Sequence, residues 1–401
     1  MAFLARWGAR VPYSNGALRA GFLPVLVVAA LVALAGQPRA ALPPSRPVVS
    51  AGGLIFVSGI TSAAADTTGK STEIDRQTHA VLDELRQRLG TASSTLGDVV
   101  SVTVGLRHAS DYDAMNAIYG TYFPENPPTR TTIAVDLPPG ALIQVSAIAV
   151  PTGTSHIAMQ PGNWAKTPRP YSYIMRTGDL VFISGLVSRH GTDDSIVPGG
   201  VDVQTRTILD NAGTLLRTVG LTYDNVVAAR VFLTDDGDFE AMNAEYRRRF
   251  ADMPPARATA ITGLMGHDAE VEIALVASSV FKETMGPLVS PTLPVSTAVR
   301  AGSRVFVSGV TGVTDTNADD PTGQSVEALS HLKHALSLAG LTPADVVDTT
   351  MYLPRLSELP SVDAIYGGVF VDQPPSRTVM GAKLVSRPGL VEIMAMAIGN
   401  R

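Results

Sequence analysis

With 45% hydrophobic and 17% charged side chains in 401 residues, the chain has the composition of a folded globular protein, and its length suits two or three domains of about 150 residues. A formal net charge of −5 provides no basic field, which argues against binding nucleic acid through general electrostatics. The absence of cysteine excludes disulfides, thiolate metal sites and cysteine nucleophiles.

The N-terminus differs in kind from the rest. Arg6, Arg10 and Arg19 precede an apolar run from Phe22 to Gly36, and no acidic residue occurs before Asp66. A positive segment followed by about 15 apolar residues has the form of a secretory signal peptide and falls short of the ~20 that a spanning helix needs. Residues 1–41 are therefore expected to be a signal peptide that sends the chain to the periplasm or the exterior. A membrane anchor through residues 22–36 is the alternative.

Beyond this segment the chain repeats itself three times. Ile55-Phe56-Val57-Ser58-Gly59 returns as Val181-Phe182-Ile183-Ser184-Gly185 and again as Val305-Phe306-Val307-Ser308-Gly309, with the serines 126 and then 124 residues apart. So long a period is a whole domain rather than a solenoid unit of roughly 20–50 residues. The expected domains are 42–150, 171–277 and 295–401. The stretches 151–170 and 278–294, rich in Pro, Gly, Ser and Thr, are read as linkers.

Within each copy the elements follow one order. The β-branched pentapeptide reads as a buried strand that turns at glycine. After a polar loop comes an amphipathic helix, with apolar positions Ile74, Val81, Leu82, Leu85 and Leu89 in copy one and a stop at Gly90. Copies two and three repeat the pattern up to Gly220 and Gly340. A second strand starts at Asp98-Val99-Val100, Asn225-Val226-Val227 and Asp345-Val346-Val347. A shorter helix holds Asn116 and Tyr119, or Asn243 and Tyr246. A Pro-Pro-x-Arg turn then leads into a strand that delivers Arg130, Arg257 or Arg377, and a last strand closes the copy (142–150, 269–277, 390–398). Each unit is thus expected to be an α+β domain with two helices on one face of a mixed sheet. No serine-hydrolase partners accompany the Ser-Gly pairs. His331 and His334 lie three apart on a predicted helix without a third ligand nearby, and are read as exposed helix histidines rather than a metal site.

Taken together, the (I/V)F(V/I)SG strand, the (D/N)VV strand, the N…Y helix, the P-P-x-R turn and the closing V-E-I strand resemble the RidA/YjgF family of reactive-intermediate deaminases. The resemblance spans residues 42 to 400. It implies three tandem chorismate-mutase-like domains that close into an intramolecular pseudo-trimer, monomeric overall, with clefts between neighbouring copies. Physical logic points the same way: a sheet with helices on one face needs cover on the other, and covalently linked sister copies supply it at high effective concentration.

The resemblance further implies hydrolysis of small carboxylate-bearing enamines and imines of amino acids to 2-oxo acids and ammonia, without metal or cofactor. An arginine would grip the carboxylate bidentately, and a carboxyl group would position water and move protons. Carried over residue by residue, the catalytic candidates are Arg257 with Glu272 and Arg377 with Glu392, fifteen residues apart in both cases, so that a hairpin could bring each pair to one cleft. Copy one keeps Arg130 but has Gln144 in place of the glutamate. The substrate-contact candidates are Ser58-Gly59, Ser184-Gly185 and Ser308-Gly309, with Asn116, Asn243 and Arg130. Tyr171 joins them, because the family's Pro-Tyr survives only as Pro170-Tyr171, where Ser45 and Val295 stand in the other copies. Asp363 replaces the helix asparagine in copy three and would repel a carboxylate. Copy two alone carries the whole set, and one or two of the three clefts are expected to be competent. The alternative is a non-catalytic module that uses the same clefts to hold small carboxylates or contact a partner protein, a reading that a secreted location favours. An RNA-cleaving role suits the acidic charge poorly.

Overall fold

The computed structural model describes residues 45–62, 72–266, 268–290 and 292–399; the expected signal peptide or anchor lies outside these residues. In the first repeat the order is β1 (Val48–Ala51), β2 (Leu54–Thr61), α1 (Glu73–Thr91), β3 (Val99–Leu106), α2 (Tyr112–Tyr122), β4 (Thr129–Ala134) and β5 (Ile143–Ala149). The second runs β6 (His156–Met159), β7 (Ile174–Thr177), β8 (Leu180–Leu186), α3 (Val201–Thr218), β9 (Val226–Leu233), α4 (Phe239–Arg247), β10 (Ala256–Ile261), β11 (Gly263–Leu264) and β12 (Val271–Ser278). The third comprises β13 (Lys282–Leu288), β14 (Ser296–Ala301), β15 (Arg304–Thr311), α5 (Pro321–Leu338), β16 (Val346–Leu353), α6 (Leu359–Val369), β17 (Ser376–Gly381), β18 (Lys383–Leu384) and β19 (Glu392–Ile398).

The three repeats are α+β domains built on one plan. Their sheets run β1-β2-β5-β3-β4, β6-β7-β8-β12-β9-β10 and β13-β14-β15-β19-β16-β17, so the closing strand lies inside each sheet. Parallel pairing joins β3 to β4, β9 to β10 and β16 to β17, the strands linked through the short helices α2, α4 and α6, as a helical crossover allows. The two stretches expected to be linkers are corrected here: each carries a strand, β6 or β13, that extends the sheet of the repeat that follows. A four- to seven-residue edge strand leaves little mark in a segment dominated by Pro, Gly and Ser.

Period-two alternation in the repeated pentapeptide divides the core. Ile55 and Val57 face α1 and α2, where they pack with Val81, Leu82, Leu85, Met115 and Tyr119. Phe56 turns the other way and meets Phe182 and Phe306, its counterparts from the other repeats, in one shared apolar cluster with Phe232, Tyr352, Met394 and Met396. The sister domains therefore cover one another's second sheet face.

Edge pairing joins the repeats as well. Leu264 in β11 pairs with Ile133 in β4, Leu384 in β18 pairs with Ala260 in β10, and Asp136 bridges to Gly381. Second meets first, third meets second, and first meets third. At the centre, the Arg230 guanidinium donates to the Thr103 hydroxyl at 3.2 Å and the Thr350 hydroxyl at 3.4 Å, its counterparts in the other two repeats.

Candidate active site

The Ser-Gly of each pentapeptide sits where the strand slips register against its closing strand, between Val57 and Ile60 in β2 and between Val307 and Val310 in β15. Opposite β8 the slip falls between Ile273 and Leu275. Bulges of this kind re-aim side chains. The turned-in serine hydroxyls donate to a backbone carbonyl of their own repeat: Ser58 to Arg46 at 2.6 Å, Ser184 to Ser172 at 2.7 Å and Ser308 to Ser296 at 2.5 Å. Each also accepts the backbone N–H of an arginine from the preceding repeat in the cycle at 2.9 Å: Arg377 on Ser58, Arg130 on Ser184 and Arg257 on Ser308. Ser58, Ser184 and Ser308, expected as substrate contacts, dock the neighbouring arginine strand through these bonds.

The glycine that follows leaves room for a side chain from the closing strand. A Cβ at Gly185 would stand 1.8 Å from Glu272 Oε1, and one at Gly309 would stand 1.8 Å from Glu392 Oε1. At Gly59 the occupant is the Gln144 amide, 3.1 Å away.

Three clefts follow, each shared by two repeats, and their pairing differs from the sequence expectation. Arg257 and Glu272 are not joined by a hairpin, because β9 lies between β10 and β12; β17 and β19 are likewise separated by β16. The first cleft combines Arg130 with Gly185 and Glu272. The second combines Arg257 with Gly309 and Glu392, and the third combines Arg377 with Gly59 and Gln144. The set that looks complete within copy two is thus divided, with Tyr171 and Glu272 serving the first cleft and Asn243 and Arg257 the second. Residue spacing reports neighbours along the chain, whereas these pairs form between chain segments more than 100 residues apart.

All three arginines are buried, Arg130 and Arg257 at 4% exposure and Arg377 at 8%. Each guanidinium lies over a tyrosine of the short helix, on Tyr119 at 4.8 Å, Tyr246 at 4.7 Å and Tyr366 at 4.7 Å. These tyrosines were visible in the sequence motif without an assigned role. The remaining contacts distinguish the clefts. Arg130 donates to the Tyr112 hydroxyl at 3.3 Å and Arg257 to Asn243 Oδ1 at 2.8 Å. In both residues Nη1 is buried with no hydrogen-bond partner among the described residues. A buried donor left unmade is costly, and here the cost falls on the atom that could take a carboxylate. Arg377 instead forms an ion pair with Asp363 at 2.6 Å. Asn116, at the position of Asn243, has a buried amide without a hydrogen-bond partner among the described residues.

Burial also reshapes the carboxyl groups. Glu272 is pushed up to about 8 by desolvation, offset in part by a hydrogen bond from the Thr132 backbone and by the Arg130 charge. Glu392 rises to about 7 through the same cause, against Thr259 and Arg257. Desolvation pushes Arg257 down from its usual range. The sign of the linkage is definite. An acid whose folded pKa is raised holds its proton more tightly when folded, so its contribution is whole below about pH 4.5 and is lost as pH climbs through 7 to 8. The double variant Glu272→Gln/Glu392→Gln should therefore match the parent in thermal denaturation at pH 5 and gain on it steadily up to pH 8.5. A constant difference across that range would contradict the burial argument.

The first cleft opens into a small pocket of about 50 Å³ lined by Tyr112, Arg130, Thr132, Tyr171, Gly185 and Glu272, with Arg169, Arg189 and Met265. Arg130 also lies 5.7 Å from the Tyr171 ring, which places Tyr171 as one wall. Arg169 and Arg189 have no counterpart motif in the other copies, so no repeat signal marked them.

Comparison with known proteins agrees with the three-repeat division. The sequence matches the Endoribonuclease L-PSP family three times, over residues 35–151, 163–279 and 288–399. A RutC family protein of Sulfurisphaera tokodaii is 35% identical over 116 residues, 28% of this chain and 93% of the relative. A 2-iminobutanoate/2-iminopropanoate deaminase of Capra hircus is 33% identical over 132 residues, 32% of this chain and 92% of the relative. Each relative therefore corresponds to one repeat. Among solved structures, a chorismatase aligns over 88% of this chain and all of its own with a TM-score of 0.52 at 13% identity, a likeness of fold across all three repeats.

Proposed function

Because the chain belongs to the Endoribonuclease L-PSP family, of which the RidA/YjgF proteins are members, we propose that it hydrolyses small enamines and imines of amino acids to 2-oxo acids and ammonia at two of its three clefts. The observation that carries this reading is the meeting, across a boundary between repeats, of a buried arginine with a free Nη1 and a buried glutamate whose pKa lies near neutrality. In this reading the three repeats act as the intramolecular equivalent of a trimer.

The chemistry runs as follows. The guanidinium of Arg130 or Arg257 takes the substrate carboxylate through two parallel N–H···O bonds. Protonated Glu272 or Glu392 gives its proton to the enamine carbon, which forms the imine. The resulting carboxylate takes a proton from water as the oxygen adds to the imine carbon, and a carbinolamine forms. The carboxyl group then relays the hydroxyl proton to the nitrogen, so that collapse to the C=O expels ammonia and the carboxyl group is left protonated for the next cycle. A carboxyl group with a pKa of about 7 to 8 suits both directions of transfer at neutral pH. The imine is already reactive, so fixing it beside the acid contributes much of the rate.

The third cleft lacks this chemistry. Gln144 cannot transfer a proton, and Asp363 already occupies Arg377. It is read as a structural seam. The small clefts and the net charge of −5 give no track for a polyanion, which argues against cleavage of RNA.

The test is a coupled assay in which a threonine dehydratase generates 2-iminobutyrate and its decay is followed with and without the chain. Acceleration is expected, and Arg377→Ala should leave it within about twofold, a margin set by the usual non-additivity of such changes. No acceleration by the folded parent chain would overturn the proposal.

A further inference from the structure

Resting on that reading, we propose that the first cleft takes a dicarboxylic substrate, the imine or enamine of an acidic amino acid with a four- or five-carbon chain, whose second carboxylate is held by Arg169.

Three observations carry this. First, Arg169 lines the same pocket as Arg130 and Glu272, yet among the described residues its guanidinium has no hydrogen-bond or ion-pair partner; its one contact is the Tyr112 ring at 5.4 Å. The other arginine of the wall, Arg189, is neutralised by Asp194 at 3.3 Å. Second, Tyr112 is shared. Arg130 lies 5.7 Å from the same ring centroid, so the two guanidinium carbons are at most about 11 Å apart. Both guanidinium groups are therefore within reach of one short dicarboxylate in a bent conformation, with a charge-assisted bond of roughly 2.8 Å at each end. Third, the position is particular to this cleft. The backbone bonds of Arg46 to Pro375, Ser172 to Pro128 and Ser296 to Pro255 align the repeats; on that alignment Arg169 matches Pro43 and Leu293. The second cleft has Leu293 at this position, and the further arginine near Arg257 is Arg247, from the short helix, which donates to the Thr292 carbonyl.

Two like charges facing one small pocket repel each other when it is empty, and a ligand with two carboxylates removes that repulsion at both ends. A monocarboxylate satisfies Arg130 alone.

Isothermal titration of the full chain with 2-oxoglutarate and with 2-oxobutyrate, the stable oxo-acid counterparts, tests the assignment. One 2-oxoglutarate per chain should bind about tenfold or more tightly than 2-oxobutyrate, the range expected for an added bond to a charged group. Arg169→Gln should remove that preference while leaving 2-oxobutyrate affinity within about twofold. Equal affinities in the parent, or a preference that survives Arg169→Gln, would overturn it. Binding is read without turnover, so a dicarboxylate preference in a chain that fails to accelerate imine decay would sink the deaminase reading and leave this site standing.

Discussion

Glu272→Gln combined with Glu392→Gln is expected to abolish acceleration of imine decay, a loss of about 10²–10⁴ if these carboxyls carry the proton transfers. Either single change should leave the rate of the untouched cleft. Glutamine keeps the volume and the hydrogen-bonding oxygen, so the loss isolates proton transfer from packing. The protein carries its own precedent, since Gln144 lies over Gly59 where Glu272 lies over Gly185 and Glu392 over Gly309. The fold therefore accepts an amide at this position. Initial rates in the dehydratase-coupled assay, with thermal denaturation of the same samples to show that they are folded, decide the matter. A double variant that retains more than about a tenth of the parental rate would remove the glutamates from the mechanism.

Phe182→Ala should cost about 3–5 kcal/mol, the usual price of an aromatic side chain deleted from a packed core. Phe182 is 3% exposed and meets Phe56 and Phe306 in the cluster common to the three repeats. For a protein whose whole stability is typically about 5–15 kcal/mol, that is a large share. The location matters as much as the size. Ile183 next door belongs to the core of its own repeat, with residues such as Leu209 and Met242. A change at Phe182 removes contacts that belong to all three, so urea unfolding should stay a single transition displaced to lower denaturant. A separate early transition for the second repeat, or a loss below about 1 kcal/mol, would show that the repeats stand independently.

Much of the fold could be read from residue order because its determinants are local. The pentapeptide alternates with period two, the long helices carry apolar faces, and Pro-Pro-x-Arg opens the parallel strand in every copy; α3 and α5 stop shortly before Gly220 and Gly340 as expected, whereas α1 runs past Gly90 to Thr91. The same regularity misled at the linkers, where β6 has only four residues and β13 carries Lys, Glu, Gly and Pro without a clear alternation. The candidate site was legible as a set of residue types but not as an arrangement. Arg257 and Glu272 look paired because they are close in sequence, yet β9 intervenes, and which repeat faces which depends on the packing of the phenylalanine faces. Ser184 reads as a polar group at a strand end, and only the bulge shows that its hydroxyl turns inward to the Arg130 backbone. Arg169 was invisible for the opposite reason, since it occurs once and a search for what the copies share passes over it.

The hydroxyls that dock one repeat's arginine onto the next have an evolutionary corollary. In a ring of identical subunits a single codon change is copied into every seam at once. Here it lands in one, so each cavity can drift toward its own clientele while its sisters keep the ring intact. The seams already differ in this way: Arg377 is paired with Asp363, whereas the pocket of Arg130 holds a second cation, Arg169.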